Sequence, residues 1–186
     1  MADANIEEIT DSTTKPSNII MVQLESFFDP TTLKDVTFSG DPIPNFRKLQ
    51  ESGSSGYITV PSVGAGTANT EFEVMSGMNT RLFGPGEYPY KSVLKDKTTE
   101  TMAYDLKNPG YSTHAIHNHR GDFYGRNIVF PNLGFDTFTP VEYMNNITKT
   151  PKNYEQDKVL TGEISFKVYR KCLYRKCSSN LWQGGD

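Results

Sequence analysis

The sequence predicts an α/β fold, an open and mostly parallel sheet flanked by helices. Two observations predict it. Short apolar runs of strand length alternate with segments of helical spacing, and polar residues with chemical potential fall at or just past the ends of those runs. In an open parallel sheet, ligands bind beyond the carboxyl ends of the strands, so separate polar clusters would converge on one edge.

Asn18 to Glu25 (NIIMVQLE) is short, apolar and rich in Ile, which favours a buried strand. Pro44 to Glu51 places Phe46 and Leu49 three apart, with Pro at its start and Gly53 past its end, and predicts a short helix. Tyr57 to Val60 reads as a second strand, closed by Pro61. The turn Gly64-Ala65-Gly66 leads into Thr67, Asn69, Thr70 and Glu71, where a helix begins; Phe72, Met75 and Met78 continue it at helical spacing. Residues 79–92, with Gly84, Pro85, Gly86 and Pro89, read as a loop. A helix is expected from Thr98 to Lys107, ended by Asn108-Pro109-Gly110, and a third strand from Ser112 to Asn118. His119 to Arg126 is a polar, aromatic loop, Phe130 to Phe138 is turn-rich, and Asp157 to Ile164 starts a further helix.

Composition sets the outer limits. The 186 residues are 35% hydrophobic and 12% aromatic, enough for one modest core. A net charge of −3 lacks the basic footprint of a nucleic-acid binder. No apolar run is long enough to span a membrane, and the polar, acidic residues after Met1 are not a signal peptide. Cys172 and Cys177 are too few and too close to define a disulfide framework. Residues 1–17 read as a polar linker. From Ser165 the pattern changes, with Tyr-Arg-Lys-Cys repeated at 169–172 and 174–177, and 165–186 is expected to be an atypical tail, frameshifted or disordered.

Three clusters carry candidate chemistry. Thr67 sits at a Gly-turn/helix junction, where backbone N–H groups and the helix dipole favour a phosphate beside its hydroxyl. The plainer role for Thr67 or Thr70 is an N-cap. Glu25 ends an apolar strand, where a carboxylate needs water, a cation or a hard metal. His114, His117 and His119 are read as alternating along one strand and sharing a face, either as part of a metal cluster or as solvated residues. Arg120, Arg126 and Tyr124 are the nearby groups suited to gripping a phosphate and stacking on a glycerol or sugar.

In this order the segments resemble the lipoteichoic acid synthase family of phosphoglycerol transferases, within the alkaline phosphatase/sulfatase superfamily. NIIMVQLESF (residues 18–27) is similar to that family's first strand and its metal-binding Glu, here Glu25. Gly66-Thr67-Ala-Asn-Thr-Glu-Phe72 resembles its nucleophile motif, which places the nucleophile at Thr67 and not Thr70. HNHRGDFYGRNIVFPNLGFD (residues 117–136) resembles its substrate-binding segment, with His117, Tyr124 and Arg126 matching the His, aromatic and Arg used there. The aromatic position is commonly Trp, so Tyr124 is a departure. The likeness covers residues 18–164, which would form the N-terminal part of a sulfatase-like catalytic domain.

The resemblance implies a Mn²⁺ or Mg²⁺ ion bound by Glu25 and Thr67, and glycerophosphate transfer from phosphatidylglycerol to a glycerophosphate-chain acceptor. It implies the extracellular face of a bacterial membrane, reached through segments that this sequence lacks. It also implies a downstream Asp-His pair completing the metal site; without it, this chain is expected to turn over little or not at all. The Cys/Ser-x-Pro-x-Arg setting of true sulfatases is missing, which argues against arylsulfatase activity. Two other readings remain: a non-catalytic or vestigial glycerophosphate-binding fragment, and a related transferase or phosphodiesterase acting on another head group, such as one that modifies glucans.

Overall fold

The computed structural model of the chain describes residues 17–24, 27–62 and 66–176, with side chains described through residue 168. It is a mixed α/β structure: a parallel sheet flanked by helices. In chain order the regular elements are α1 (Pro44–Ser52), α2 (Thr67–Ser76), α3 (Met102–Asp105), β1 (His114–His117), α4 (Arg126–Asn132), β2 (Thr137–Pro140) and α5 (Lys158–Lys176).

Strands β1 and β2 pair in parallel, His114 opposite Thr137 and His117 opposite Pro140. Parallel neighbours need a crossover connection, and here α4 supplies it. The segment expected to be turn-rich, Phe130 to Phe138, is thus the end of α4 and the start of β2. Gly134 makes the tight return possible. It has φ of 92°, and a Cβ there would lie within 2.7 Å of the Tyr104 ring. Asp136 then closes the join, its carboxylate accepting from Thr113 N–H at 2.9 Å.

The core lies between α2, the Tyr90–Leu94 stretch, β1 and α4. Ala68, Phe72, Tyr90, Leu94, Val129 and Leu133 are each at most 1% exposed. Helix α2 is bounded by two left-handed glycines, Gly66 (φ 84°) and Gly77 (φ 69°), so its length is set by backbone permission at both ends. Its C-terminal half is fastened by Glu73, which accepts from Thr80 N–H and Oγ1–H at 2.7 and 2.8 Å.

Two expected strands do not form. Residues 17–24 and Tyr57–Val60 lie outside any sheet ladder, with Ile19, Ile20, Val22, Tyr57 and Ile58 exposed. Apolar composition is what a buried strand requires, but a strand exists only where a neighbour takes its N–H and C=O groups; among the described residues no strand pairs with either. The helix expected over Thr98–Lys107 is confined to Met102–Asp105, capped by Thr101 Oγ1, which accepts from Ala103 N–H at 3.2 Å. Helix α5 starts where expected but runs through Ser165 to Lys176. The boundary drawn at 165 therefore falls inside one helix, while 177–186, most of the polar linker (1–16) and Glu25 lie outside the described residues.

One ion pair ties the layers together. Arg126, at the start of α4 and fully buried, donates from Nε to Glu71 Oε2 at 3.1 Å and from Nη2 to Glu71 Oε1, joining residues 55 apart in sequence. Its Nη1 donates to Phe123 O at 3.3 Å. Removing one partner strands a buried charge, so Glu71→Ala or Arg126→Ala is expected to cost about 3–5 kcal/mol in urea denaturation. A loss under about 1 kcal/mol would mean that the pair is solvated, as exposed pairs are.

Candidate active site

Thr67 is the first residue of α2 and is half-buried. The capping role weighed for it and for Thr70 belongs to neither, since Gly66 occupies the N-cap and Thr70 is a turn further in. Asn69 N–H returns to Gly66 O at 2.9 Å, and Ser62 Oγ donates to the same carbonyl at 2.9 Å, which pins the turn before the threonine.

The second wall is the loop after β1. His117 ends that strand, and its Nδ1 accepts the His119 backbone N–H at 3.0 Å. The ring lone pair at Nδ1 is thereby used, so the neutral imidazole carries its proton on Nε2 and presents a donor. Burial, with Arg126 and His119 nearby, lowers the His117 pKa from 6.5 to about 4. At neutral pH the ring is an uncharged hydrogen-bond donor. His119 repeats the pattern, its Nδ1 accepting Arg120 N–H at 2.8 Å while its ring stacks on Phe123 at 4.2 Å.

Tyr124 has a left-handed backbone (φ 58°, ψ 12°), followed by left-handed Gly125. A bulky residue pays for this conformation, about 1–3 kcal/mol, and such outliers concentrate at functional sites. Here the turn brings the Tyr124 ring 5.2 Å from the Arg126 guanidinium carbon and stacks it on Tyr88, with centroids 6.3 Å apart and planes 15° apart. Tyr88 reaches the turn before Thr67 as well. A Cβ on Gly66 would lie 2.7 Å from its hydroxyl oxygen.

The structure thus brings Thr67, Tyr124 and Arg126 into one neighbourhood through Glu71 and Tyr88, with His117 close enough to feel the Arg126 charge. It does not assemble the three histidines. His114 and His117 are three apart and project to opposite faces of β1; His114 is exposed, its Nδ1 2.7 Å from Thr137 Oγ1, and His119 lies past the strand end. Among the described residues no three His, Cys, Asp or Glu side chains gather as a metal cluster. Thr67 offers one hard oxygen donor of the kind Mn²⁺ or Mg²⁺ prefers, but one described donor does not make a site.

Sequence reading overlooked Glu71, Tyr88, Tyr90 and Lys91. Glu71 was legible as the residue one turn after Thr67 on the same helix face, and the Tyr-Pro-Tyr-Lys run as an aromatic and basic cluster inside a supposed plain loop. Tyr90 is buried next to the ion pair. Burial first, and the Glu71 carboxylate second, raise its pKa well above 10.

The His117 environment has a signed consequence. Its folded pKa is depressed, so the unfolded chain binds the extra proton first. The stability it contributes is complete above pH 6.5 and is lost as pH falls from 6.5 through about 4. Following its ring protons by NMR is expected to give a midpoint near 4, and His117→Gln to flatten stability across that range. A midpoint near 6.5 would place the ring in solvent.

Comparison with known proteins matches the chain to a family. The family model described as Sulfatase covers residues 17–179. A Rhizobium meliloti (strain 1021) protein named for cyclic beta-1,2-glucan modification is 34% identical over 147 residues, covering 79% of this chain and 22% of that protein. The capsular polysaccharide biosynthesis protein RkpI of the same organism is 26% identical over 154 residues, 81% of this chain and 28% of its own length. Among solved structures, the Streptococcus pyogenes phosphoglycerol transferase GacH in complex with sn-glycerol-1-phosphate matches with TM-score 0.62 and 26% identity, over 73% of this chain and 36% of that one. The lipoteichoic acid synthase LtaP of Listeria monocytogenes matches in fold with TM-score 0.60 and 21% identity, over 75% and 33%. The chain spans under a third of the length of the curated relatives it matches. It belongs to the sulfatase family, with the fold seen in GacH and LtaP.

Proposed function

We propose that this chain carries the nucleophile and the head-group pocket of a metal-dependent phosphoglycerol transferase. The observation that supports it is the joining of Thr67's helix to the Tyr124–Arg126 loop by the Glu71–Arg126 pair and the Tyr88–Tyr124 stack. A hydroxyl at the N-terminus of a ten-residue helix lies beside N–H groups and a dipole suited to phosphate.

In this reading the Thr67 hydroxyl attacks the phosphorus of phosphatidylglycerol. The phosphorus–oxygen bond to diacylglycerol breaks, diacylglycerol leaves with a proton, and glycerophosphate remains on Thr67. An acceptor hydroxyl then attacks the same phosphorus and returns the proton to Thr67. Neutral His117 donates from Nε2 to a glycerol or phosphate oxygen, and Tyr124 packs against the glycerol. Arg126, fully buried and already bidentate to Glu71, acts by holding the loop that carries Tyr124. Thr67 and Glu25, with further ligands, would hold Mn²⁺ or Mg²⁺, which would supply Lewis acidity toward the hydroxyl and phosphate oxygens.

The acceptor is a glycerophosphate chain or, in a second reading favoured by the 34% identical relative named for glucan modification, a glucan. Either acceptor fits a protein acting at the outer face of a membrane; no helix among the described residues is long and apolar enough to cross one.

By itself the chain is expected to turn over little; in a longer version that also carries the downstream Asp-His pair, exposure to phosphatidylglycerol and Mn²⁺ is expected to leave glycerophosphate on Thr67, read by peptide mass spectrometry. Thr67→Ala should lose the adduct and diacylglycerol release with an unchanged melting temperature. Thr70→Ala, which removes no cap, should keep both and cost under about 1 kcal/mol. An adduct on Thr70, or release that survives Thr67→Ala, overturns the assignment. Glycerophosphate binding unaffected by chelator, with no adduct anywhere, would make the chain a binding module.

A further inference from the structure

The stretch Glu87 to Lys91 (EYPYK) folds against both halves of the candidate site. Glu87 O accepts from Asn69 Nδ2 at 3.2 Å, on the first turn of α2. The Tyr88 hydroxyl abuts Gly66, the residue before Thr67, and only a glycine leaves room for it there. The Tyr88 ring stacks on Tyr124, and Tyr90 lies buried beside the Glu71–Arg126 pair. Lys91 Nζ then sits 5.0 Å from the Tyr88 ring centroid and 5.5 Å from that of Tyr124. The result is a stacked pair of tyrosines, with one end at the turn before Thr67 and an ammonium group at its rim.

The local charges decide what such an arrangement accepts. Arg126 is neutralised by Glu71, and Arg120 by Asp122 at 2.7 Å. Lys91 has no carboxylate within ion-pair distance among the described residues. Of these three cations, it is the one whose charge is not already matched. Its ammonium is held over ring faces instead of against an acid, an arrangement that leaves its N–H donors open to an anion.

We propose that Lys91 and Tyr88 form a further substrate-binding element of this site, Lys91 taking the phosphate of a glycerophosphate group while Tyr88 and Tyr124 flank its polyol. This rests on the transferase reading above and adds the residues that select for a negatively charged head group. The same chemistry arrives from two sources, the donor head group and an acceptor unit, and the experiment separates them.

Binding of sn-glycerol-1-phosphate (donor-like monoester), glycerophosphoglycerol (acceptor-like diester) and glycerol is measured by calorimetry on the purified chain, on Lys91→Ala and on Lys91→Arg. Lys91 is exposed, so these variants should fold; equal melting temperatures verify it. Lys91→Ala is expected to weaken one or both phosphate esters about tenfold and to leave glycerol unchanged, the loss of one charge-assisted contact. Lys91→Arg is expected to restore most of the affinity, and the wild-type affinity to fall with salt. A loss confined to one ester assigns this element to donor or acceptor. Equal affinity of Lys91→Ala and wild type for both esters overturns this proposal and leaves the transferase reading standing, whereas failure of the wild type to bind either ester overturns both.

Discussion

The arrangement of this protein hangs on a carboxylate and a guanidinium that meet out of water. Glu71 belongs to the helix that begins at Thr67, and Arg126 begins the helix that crosses between the two parallel strands. Arginine suits the task because its planar fork binds a carboxylate with two parallel N–H bonds and is weakly hydrated, so burying it is less costly than burying an ammonium. Without the carboxylate the guanidinium would stand unpaired in the core. The pair therefore makes helix α2 and the loop after β1 one unit, and fixes where the Thr67 hydroxyl stands relative to His117 and Tyr124.

Around that pair, charge is distributed in an ordered way. His117 is held neutral by burial and by neighbouring positive charge, and a backbone N–H selects its tautomer. Arg126 is matched by Glu71, which leaves Lys91 as the rim cation. The left-handed backbone of Tyr124 is tolerated because the turn Asp122–Gly125 is closed by Gly125 N–H to Asp122 O at 2.8 Å, and the ring it delivers completes the stack with Tyr88.

The apolar segments 17–24 and 57–60 mark the other limit of the structure. Their side chains are the kind that a sheet buries on both faces, yet they are exposed and unpaired among the described residues. The chain matches only part of the length of each relative. The core, by contrast, is buried where β1 and α4 meet α2 and the stretch holding Tyr90 and Leu94.

The sequence by itself determined the α/β class, β1 to within a residue or two at each end, the start of helix α2 and the ordered motifs around Thr67 and His117–Arg126. Those features are local: a glycine turn, a helical spacing, a run of residues in a fixed order. Strand pairing decided the rest of the sheet, and it was not legible because the same apolar run is a strand or an exposed segment depending on its neighbour. The histidines were misjudged for a similar reason, since strand parity and the exact end of β1 place His114, His117 and His119 in three different settings. Only the tertiary structure joined Glu71 to Arg126 and Tyr88 to Gly66 and Tyr124. These contacts span 55, 22 and 36 positions of chain, and no local pattern encodes which buried charge will meet which.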